Sequence, residues 1–440
     1  MISFKALREK TAWKATAPAI IIVFNSFVWF IFTYAIFSEI LDPSQFPGTE
    51  RMILFTTYFV SVAVTAILGS KLFPRARVNS LSVWLFMGAI ATFLLINLSS
   101  GNLIVNASIA FFLGASVGIG LPSCLSYFAD STSVENRGFV GGVIWSCMGF
   151  VVLILAFVIN TLGLWEAILL LTAWRVLGGV GFVALHNKNF TGSMQKAPSY
   201  FELIRKREIV LYLFPWVMFA LINFAETPIL ENVFGTQVYT FMQLVQWVLV
   251  GIFAIIGGAI ADVVGRKRVV IAGFVMLGIE YAAMSAFYSS QGTLYLFLTL
   301  DGITWGLLFS VFFMALWGDL GENRQKEKYY VLGGLPYLLA NFVYVLIEPV
   351  ASHISPTAAF SFASFFLFLA VLPLMYAPET LPEKMMKERE LKKYVEKARK
   401  EAEKAQKKEA DNAQEDEDDA VEIEANQDIE EILEAAEKYY

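Results

Sequence analysis

Twelve windows of roughly 18 to 25 mostly apolar residues succeed one another near 17–41, 52–70, 81–98, 104–128, 138–162, 164–186, 209–231, 238–263, 269–289, 293–319, 330–350 and 357–376. Each is long enough to carry a helix across about 30 Å of hydrocarbon. Backbone placed there must satisfy its own hydrogen bonds, and within a single segment only a helix does so. A chain that is 57% hydrophobic and 16% charged also lies outside the range of soluble domains, which are about half apolar and about a quarter charged. An all-α polytopic membrane protein is therefore expected.

Lys5, Arg8, Lys10 and Lys14 precede the first apolar run in the manner of a secretory leader. The run is too long for one and no small-residue cleavage site follows it, so a retained first helix is expected. Orientation follows from the positive charges, which cytoplasmic loops retain. Alternate loops hold Lys71, Arg75 and Arg77; Arg137; Lys188, Lys196, Arg205, Lys206 and Arg207; Arg266, Lys267 and Arg268; and Arg324, Lys326 and Lys328, while the intervening loops hold Arg51 alone. Both ends are thus expected in the cytoplasm, with the chain in the cell membrane.

The net charge of -6 is unevenly spread, because residues 379–440 hold twelve Lys or Arg against twenty-one Asp or Glu. Acidity belongs to that tail and says nothing about a solute. Cys124 and Cys147 fall within the fourth and fifth windows, which implies two buried thiols and no structural disulfide. His186 and His353 fall at opposite membrane faces, so no histidine-based metal site and no cofactor is expected.

The chain repeats itself weakly at about 190 residues, as two six-helix halves related by an axis along the membrane normal would. Asp130, Glu135-Asn136-Arg137 and Gly141-Gly142 echo Asp319, Glu322-Asn323-Arg324 and Gly333-Gly334, and Arg77-Val78 echoes Arg268-Val269. The organisation expected is a six-helix bundle over 1–186, a cytoplasmic linker over 187–208, a second bundle over 209–378 and a charged tail over 379–440. Within the linker, Tyr200 to Arg207 reads as a short basic amphipathic helix, suited either to the anionic inner leaflet or to a solvated linker. In the tail, Leu391, Val395, Ala398, Ala402 and Ala405 follow heptad-like spacing, which suggests a charged helix, while Glu415 to Asp419 is too like-charged to fold alone. Contact with a partner protein through this tail is a further possibility.

Between the eighth and ninth windows stands Gly258-x-x-x-Asp262-x-x-Gly265-Arg266-Lys267, a tight basic turn with one carboxylate. This loop resembles the signature of the major facilitator superfamily. With the twelve windows, the repeat and the topology, the resemblance extends over residues 15 to 380. It implies a transporter in which two pseudo-symmetric six-helix bundles rock about a central solute. It also implies that Asp262 latches the halves together at the N-terminus of the fifth helix near Arg137-Gly138, where a carboxylate is favoured. Arg266 is then expected to pair with Asp319, and Gly258 and Gly265 to allow close helix approach and a tight turn. The counterpart loop in the first half puts Lys71 and Pro74 where Asp262 and Gly265 stand, leaving Lys71 or Arg75 to pair with Asp130. Pro378-Glu379-Thr380 resembles the ending of the sugar and organic-ion porter branches, but the seventh helix has Asn223 and Glu226 where sugar porters carry paired glutamines.

Ionisable groups inside spans are expensive and mark cavities or partners; here they are Arg175, Glu226, Glu280 and Asp301. The family's architecture lines the central cavity with the first, fourth, seventh and tenth helices. Asp301 lies midway along the tenth, with Trp305 one turn on, and Glu226 shares a face of the seventh with Asn223 and Phe219. Carboxyls at a cavity suit proton coupling, and each also suits a structural hydrogen bond. Arg175 and Glu280, on outer helices, are expected to pair locally, although an inward-facing Arg175 could hold an anion. Asn25, Trp29, Gln243, Gln246, Tyr337, Asn341 and Tyr344 add donors, acceptors and rings along the path.

These readings lead to a carrier that moves a small organic solute, by proton symport or antiport, in contact with membrane lipid and not nucleic acid. An efflux pump for cationic or amphiphilic compounds is the alternative, as is a receptor or scaffold that keeps the fold without transport. An enzyme would require clustered nucleophile, base or metal ligands at one interface, and none are apparent.

Overall fold

A computed structural model describes residues 11–42, 44, 46, 48–99, 102–186, 192, 195–381 and 401. Met1–Leu381 forms one compact unit. Among its described residues are 12 helices long and apolar enough to cross a membrane: α1 (Trp13–Ile40), α2 (Gly48–Arg75), α3 (Arg77–Asn97), α4 (Leu103–Asp130), α5 (Arg137–Asn160), α6 (Leu164–Leu185), α7 (Arg207–Phe234), α8 (Thr236–Val264), α9 (Arg266–Phe287), α10 (Gln291–Leu320), α11 (Glu327–His353) and α12 (Pro356–Tyr376). The protein is an integral membrane protein whose helices run alternately up and down. The face that carries the start of α1 and the end of α12 is called the terminal face below, and the opposite one the distal face.

The helices turn large apolar side chains outward, among them Val83, Phe157 and Leu177, each 69% exposed. In water such a surface would aggregate; in a bilayer it is the solvated one. Polar and small residues point inward instead. Glycines let α5 and α8 nearly touch: a methyl group on Gly258 would stand 2.1 Å from the Gly138 carbonyl oxygen, and one on Gly142 would stand 2.4 Å from that of Ala254. Such small-residue contacts are how helices gain packing where lipid removes the hydrophobic drive.

Regular helix fails in two places. Gly120 breaks α4 ahead of Pro122, and a side chain there would strike the Trp84 ring. In α10, Phe309–Leu316 winds as a wider π-helix, entirely buried.

The linker differs from expectation. Ser199 caps a single helical turn, Tyr200–Leu203, through a capping box with Glu202, and Arg207 already begins α7. The helix runs for one turn from that cap, and the start of α7 at Arg207 leaves no room for the helix expected over Tyr200 to Arg207. Tyr200 donates to or accepts from the Ser70 hydroxyl at 2.6 Å. Burial pushes its own hydroxyl up to about 12, so it stays neutral at physiological pH. Cys124 is buried, but Cys147 is exposed on the outside of α5, so only one of the two thiols lies inside. The heptad-like segment and acidic run of the tail fall outside the described residues.

Candidate functional site

On the terminal face, the last turn of α8 brings Asp262 against the first turn of α5. Its two oxygens accept from the backbone N–H groups of Gly138, at 3.0 Å, and Phe139, at 2.6 Å. Those amides have no intrahelical partner, and the positive end of the helix dipole adds to the attraction. Arg266, one turn further on, pairs with Asp262 and reaches Asp319 at 3.0 Å through Nε. Asp319 in turn binds Arg137, at the start of α5, so two carboxylates and two guanidiniums alternate across the halves. Arg266, Asp262 and Arg137 are all almost fully buried. The alternation matters because a buried ion without a partner is far costlier than a paired one.

Lys267 takes no part in this chain of charges. Its ammonium donates to the Met375 carbonyl at 2.6 Å, tying α9 to α12. Gly265 adopts a φ of +112° between α8 and α9, a conformation open to glycine and strained for other residues. Behind it sits Glu379, whose carboxylate accepts from the backbone N–H of Arg266 at 2.8 Å and of Lys267 at 3.2 Å. The acidic residue of the Pro-Glu-Thr ending is thus the cap of α9. Nothing in its spacing pointed there.

The first half builds its counterpart from other residues than expected. Asp130 binds Arg77 at 2.6 Å and Lys326 at 2.5 Å, and not Lys71 or Arg75. Arg77 also binds Glu327 at 2.5 Å. The reason lies in position: Lys71 and Arg75 are exposed at the rim of the 2–3 turn, whereas Arg77, at the start of α3, points inward. Lys326 and Glu327 enter from the start of α11 as Arg137 does from the start of α5.

A cavity of about 590 Å³ opens toward the distal face. Its lining includes Asn223, Gln246, Asp301, Trp305, Tyr337 and Asn341, with Tyr239, Gln243 and Tyr344 further along. Five carboxyls (Glu39, Asp42, Glu231, Asp301 and Glu348) and one guanidinium, Arg51, border it. Hydrogen bonds from the Ser44 hydroxyl and amide hold Asp42 below the usual carboxylate range, so the mouth is anionic. Arg51 and Glu348 form an ion pair at 2.8 Å there. Toward the terminal face the cavity is floored by rings: Trp145 stacks on Phe309 with centroids 4.0 Å apart, and Phe309 meets Tyr337 at 5.2 Å.

Asp301 accepts from Gln246 Nε2 across the α8–α10 contact. Glu226 is 5% exposed behind the cavity wall, and its Oε2 has no hydrogen-bond partner among the described residues. Asn223 donates back to the Phe219 carbonyl at 2.9 Å. Three of the candidates lie elsewhere. Arg175 is wholly buried between α1, α3 and α6, its guanidinium held between the rings of Trp29 at 4.3 Å and Trp84 at 4.4 Å, and it donates to Asn25 at 3.1 Å and Ser26 at 2.7 Å. Trp29 donates to Thr92 at 2.7 Å. Asn25, Trp29 and Arg175 therefore pack inside the first half and do not border the cavity, because the face of α1 that carries Asn25 and Trp29 turns toward α3 and toward Arg175 on α6. Among the described residues no His, Cys, Asp or Glu group could hold a metal ion.

No family model matches the sequence, and no curated protein does. Among solved structures, the crystal structure of the human organic anion transporter MFSD10 (TETRAN) superposes on 82% of this chain and 98% of its own, with a TM-score of 0.60 and 14% sequence identity. The chain has the major facilitator fold. The α5–α8 contact and its charges close the terminal face, and the cavity opens on the distal face.

Proposed function

We propose that the protein is a secondary transporter that exchanges small aromatic or amphiphilic organic cations for protons by alternating access. The observation that carries this reading is the cavity itself, five carboxyls and one arginine around an aromatic interior. Such a wall attracts positive charge by its field and by cation–π contact. Asp262, Arg266, Asp319 and Arg137, with Gly258, Gly265 and Lys267, form the latch that favours the distal-open state. Asp301 and Glu226 carry the coupling, while Asn223, Trp305, Tyr337 and Asn341 contact the solute. The terminal face is cytoplasmic and the membrane is that of the cell.

The human neighbour's name speaks of organic anions, and a second reading along those lines rests on Arg51, the guanidinium that borders the cavity among the described residues. Proteoliposomes separate the two. With a pH gradient imposed, uptake of ethidium but not of fluorescein is expected, and the reverse preference would replace the first reading with the second. Asp301→Asn and Glu226→Gln should each abolish pH-driven accumulation at normal expression; unchanged accumulation in both dismisses the coupling assignment.

A further inference from the structure

Glu280 is fully buried on α9 and faces away from lipid. No N–H or O–H of the described residues donates to either of its oxygens or to Asp301 Oδ1. The two carboxyls nevertheless lie within hydrogen-bonding reach of each other. Asp301 borders the cavity, while Glu280 sits sealed behind it.

Two facing carboxylates without water or cation repel each other and lose their hydration, so such a pair is held together only by a proton shared between them. Among the described residues, nothing around it supplies positive charge. From α7 the ionisable group turned this way is Glu226, from α8 Tyr239 and from α9 Tyr281. Gln246 on α8 and Trp305 on α10 are neutral donors to Asp301. Along α12, 356–376 has no Asp, Glu, Lys, Arg or His. Among the described residues, no guanidinium or ammonium group acts on either carboxyl.

We propose that Glu280 and Asp301 form a carboxyl pair that holds one proton between them, with Asp301 as the member that exchanges it with the cavity. The inference rests on the cation-exchange reading above and deepens it. When a cation reaches Asp301, the shared proton leaves to cavity water, the Asp301–Glu280 hydrogen bond breaks, and the further negative charge left on the pair is offset by the solute. The pair carries one negative charge while it holds its proton, and because one positive charge enters for each proton that leaves, it carries the same single negative charge with the solute bound. Glu280 is a positioning residue in this scheme, holding the proton on Asp301 until a cation replaces it.

Infrared difference spectroscopy on the purified protein, titrated without solute, tests the pair directly. Among the carbonyl stretches of protonated carboxyls, one is expected that Glu280→Gln and Asp301→Asn both shift or abolish and that Glu226→Gln leaves in place. Two bands, each lost in only one variant, or no band at all, would overturn the pairing. Where Glu280→Gln does not fold, Glu280→Asp keeps the carboxyl and should shift the band; an unmoved band counts against the pair. In proteoliposomes, Glu280→Gln should lose at least tenfold of pH-driven ethidium accumulation while ethidium counterflow continues. An unchanged pH profile in this variant, or accumulation driven by a sodium gradient in place of a proton gradient, refutes the pair's role. Absence of any ethidium flux in the unmodified protein refutes the transport reading instead, leaving the infrared result to decide the pair.

Discussion

The carboxylate of Glu379 stands 2.8 Å from the backbone nitrogen of Arg266, 113 positions away in the chain, and closes the first turn of α9. A second oxygen reaches the nitrogen of Lys267. The segment that follows α12 thereby anchors the very turn that carries the Asp262 and Arg266 charges. Removing a cap of this kind typically costs about 0.5–2 kcal/mol. Glu379→Ala is therefore expected to lower the thermal unfolding midpoint of the detergent-solubilised protein, and Glu379→Gln, which keeps an acceptor, to lower it less. Equal midpoints for all three proteins would show that the cap contributes nothing.

Asp262 holds two backbone amides of α5, and bonds to a charged acceptor contribute roughly 1.5–3 kcal/mol each. Arg266 keeps Asp319 when Asp262 is lost, so the fold should survive the change while the closure of the terminal face weakens. For Asp262→Ala the balance between states is expected to move by at least about tenfold toward opening there. Spin labels at Arg75 and Arg268, exposed on that face in opposite halves, should report a new, longer distance. A distribution identical to the parent's would mean that the carboxylate does not set the balance.

How far these features can be read from residues alone depends on what makes them. The spans are legible because lipid imposes a length and a composition on each, and their order sets which loops share a face. Asp262 could be placed through the resemblance of its loop to a known family, since spacing alone says nothing about α5. Glu379 could not, because a cap made across 113 positions leaves no periodic trace. Arg77 is another such case: it lies two residues beyond Arg75, and which of them points inward depends on the turn of 3₁₀-helix at Phe73–Arg75. Arg175 shows the limit for buried charge. Its presence inside a span marks it, but whether it faces a cavity or two tryptophans is a matter of helix rotation, which an apolar helix does not encode.

The repeat makes Gly142 and Gly334 counterparts, yet their surroundings differ. A methyl group on Gly142 would collide with the Ala254 carbonyl at 2.4 Å, whereas one on Gly334 would meet nothing within 4 Å. Overpacking of this kind costs about 1–3 kcal/mol, while alanine in a helix interior gains up to about 1 kcal/mol over glycine. Gly142→Ala should therefore lower the unfolding midpoint and Gly334→Ala should hold or raise it. Matching losses in both would show that the α5–α8 approach is not what glycine serves.

Among the described residues, Arg51 is the one cation at the cavity mouth, bonded to Glu348, whose side chain is 31% exposed. Partly exposed pairs contribute only about 0–1 kcal/mol to stability, so Arg51→Ala should fold normally. Its effect falls on the field instead, since Glu348 is then left unneutralised beside Glu39, Asp42 and Glu231. An arriving cation gains from that change, by up to about fivefold in apparent affinity if the full 1 kcal/mol is realised. The gain should shrink as ionic strength rises, because at 0.15 M salt charges at a wet mouth are screened beyond about 8 Å. Ethidium titrations at low and high salt measure both, and Glu348→Gln should move affinity the opposite way. Weaker ethidium binding in Arg51→Ala would overturn this account of the field, and a loss of fluorescein binding there would indicate that the guanidinium itself contacts the solute, as an anion carrier would require.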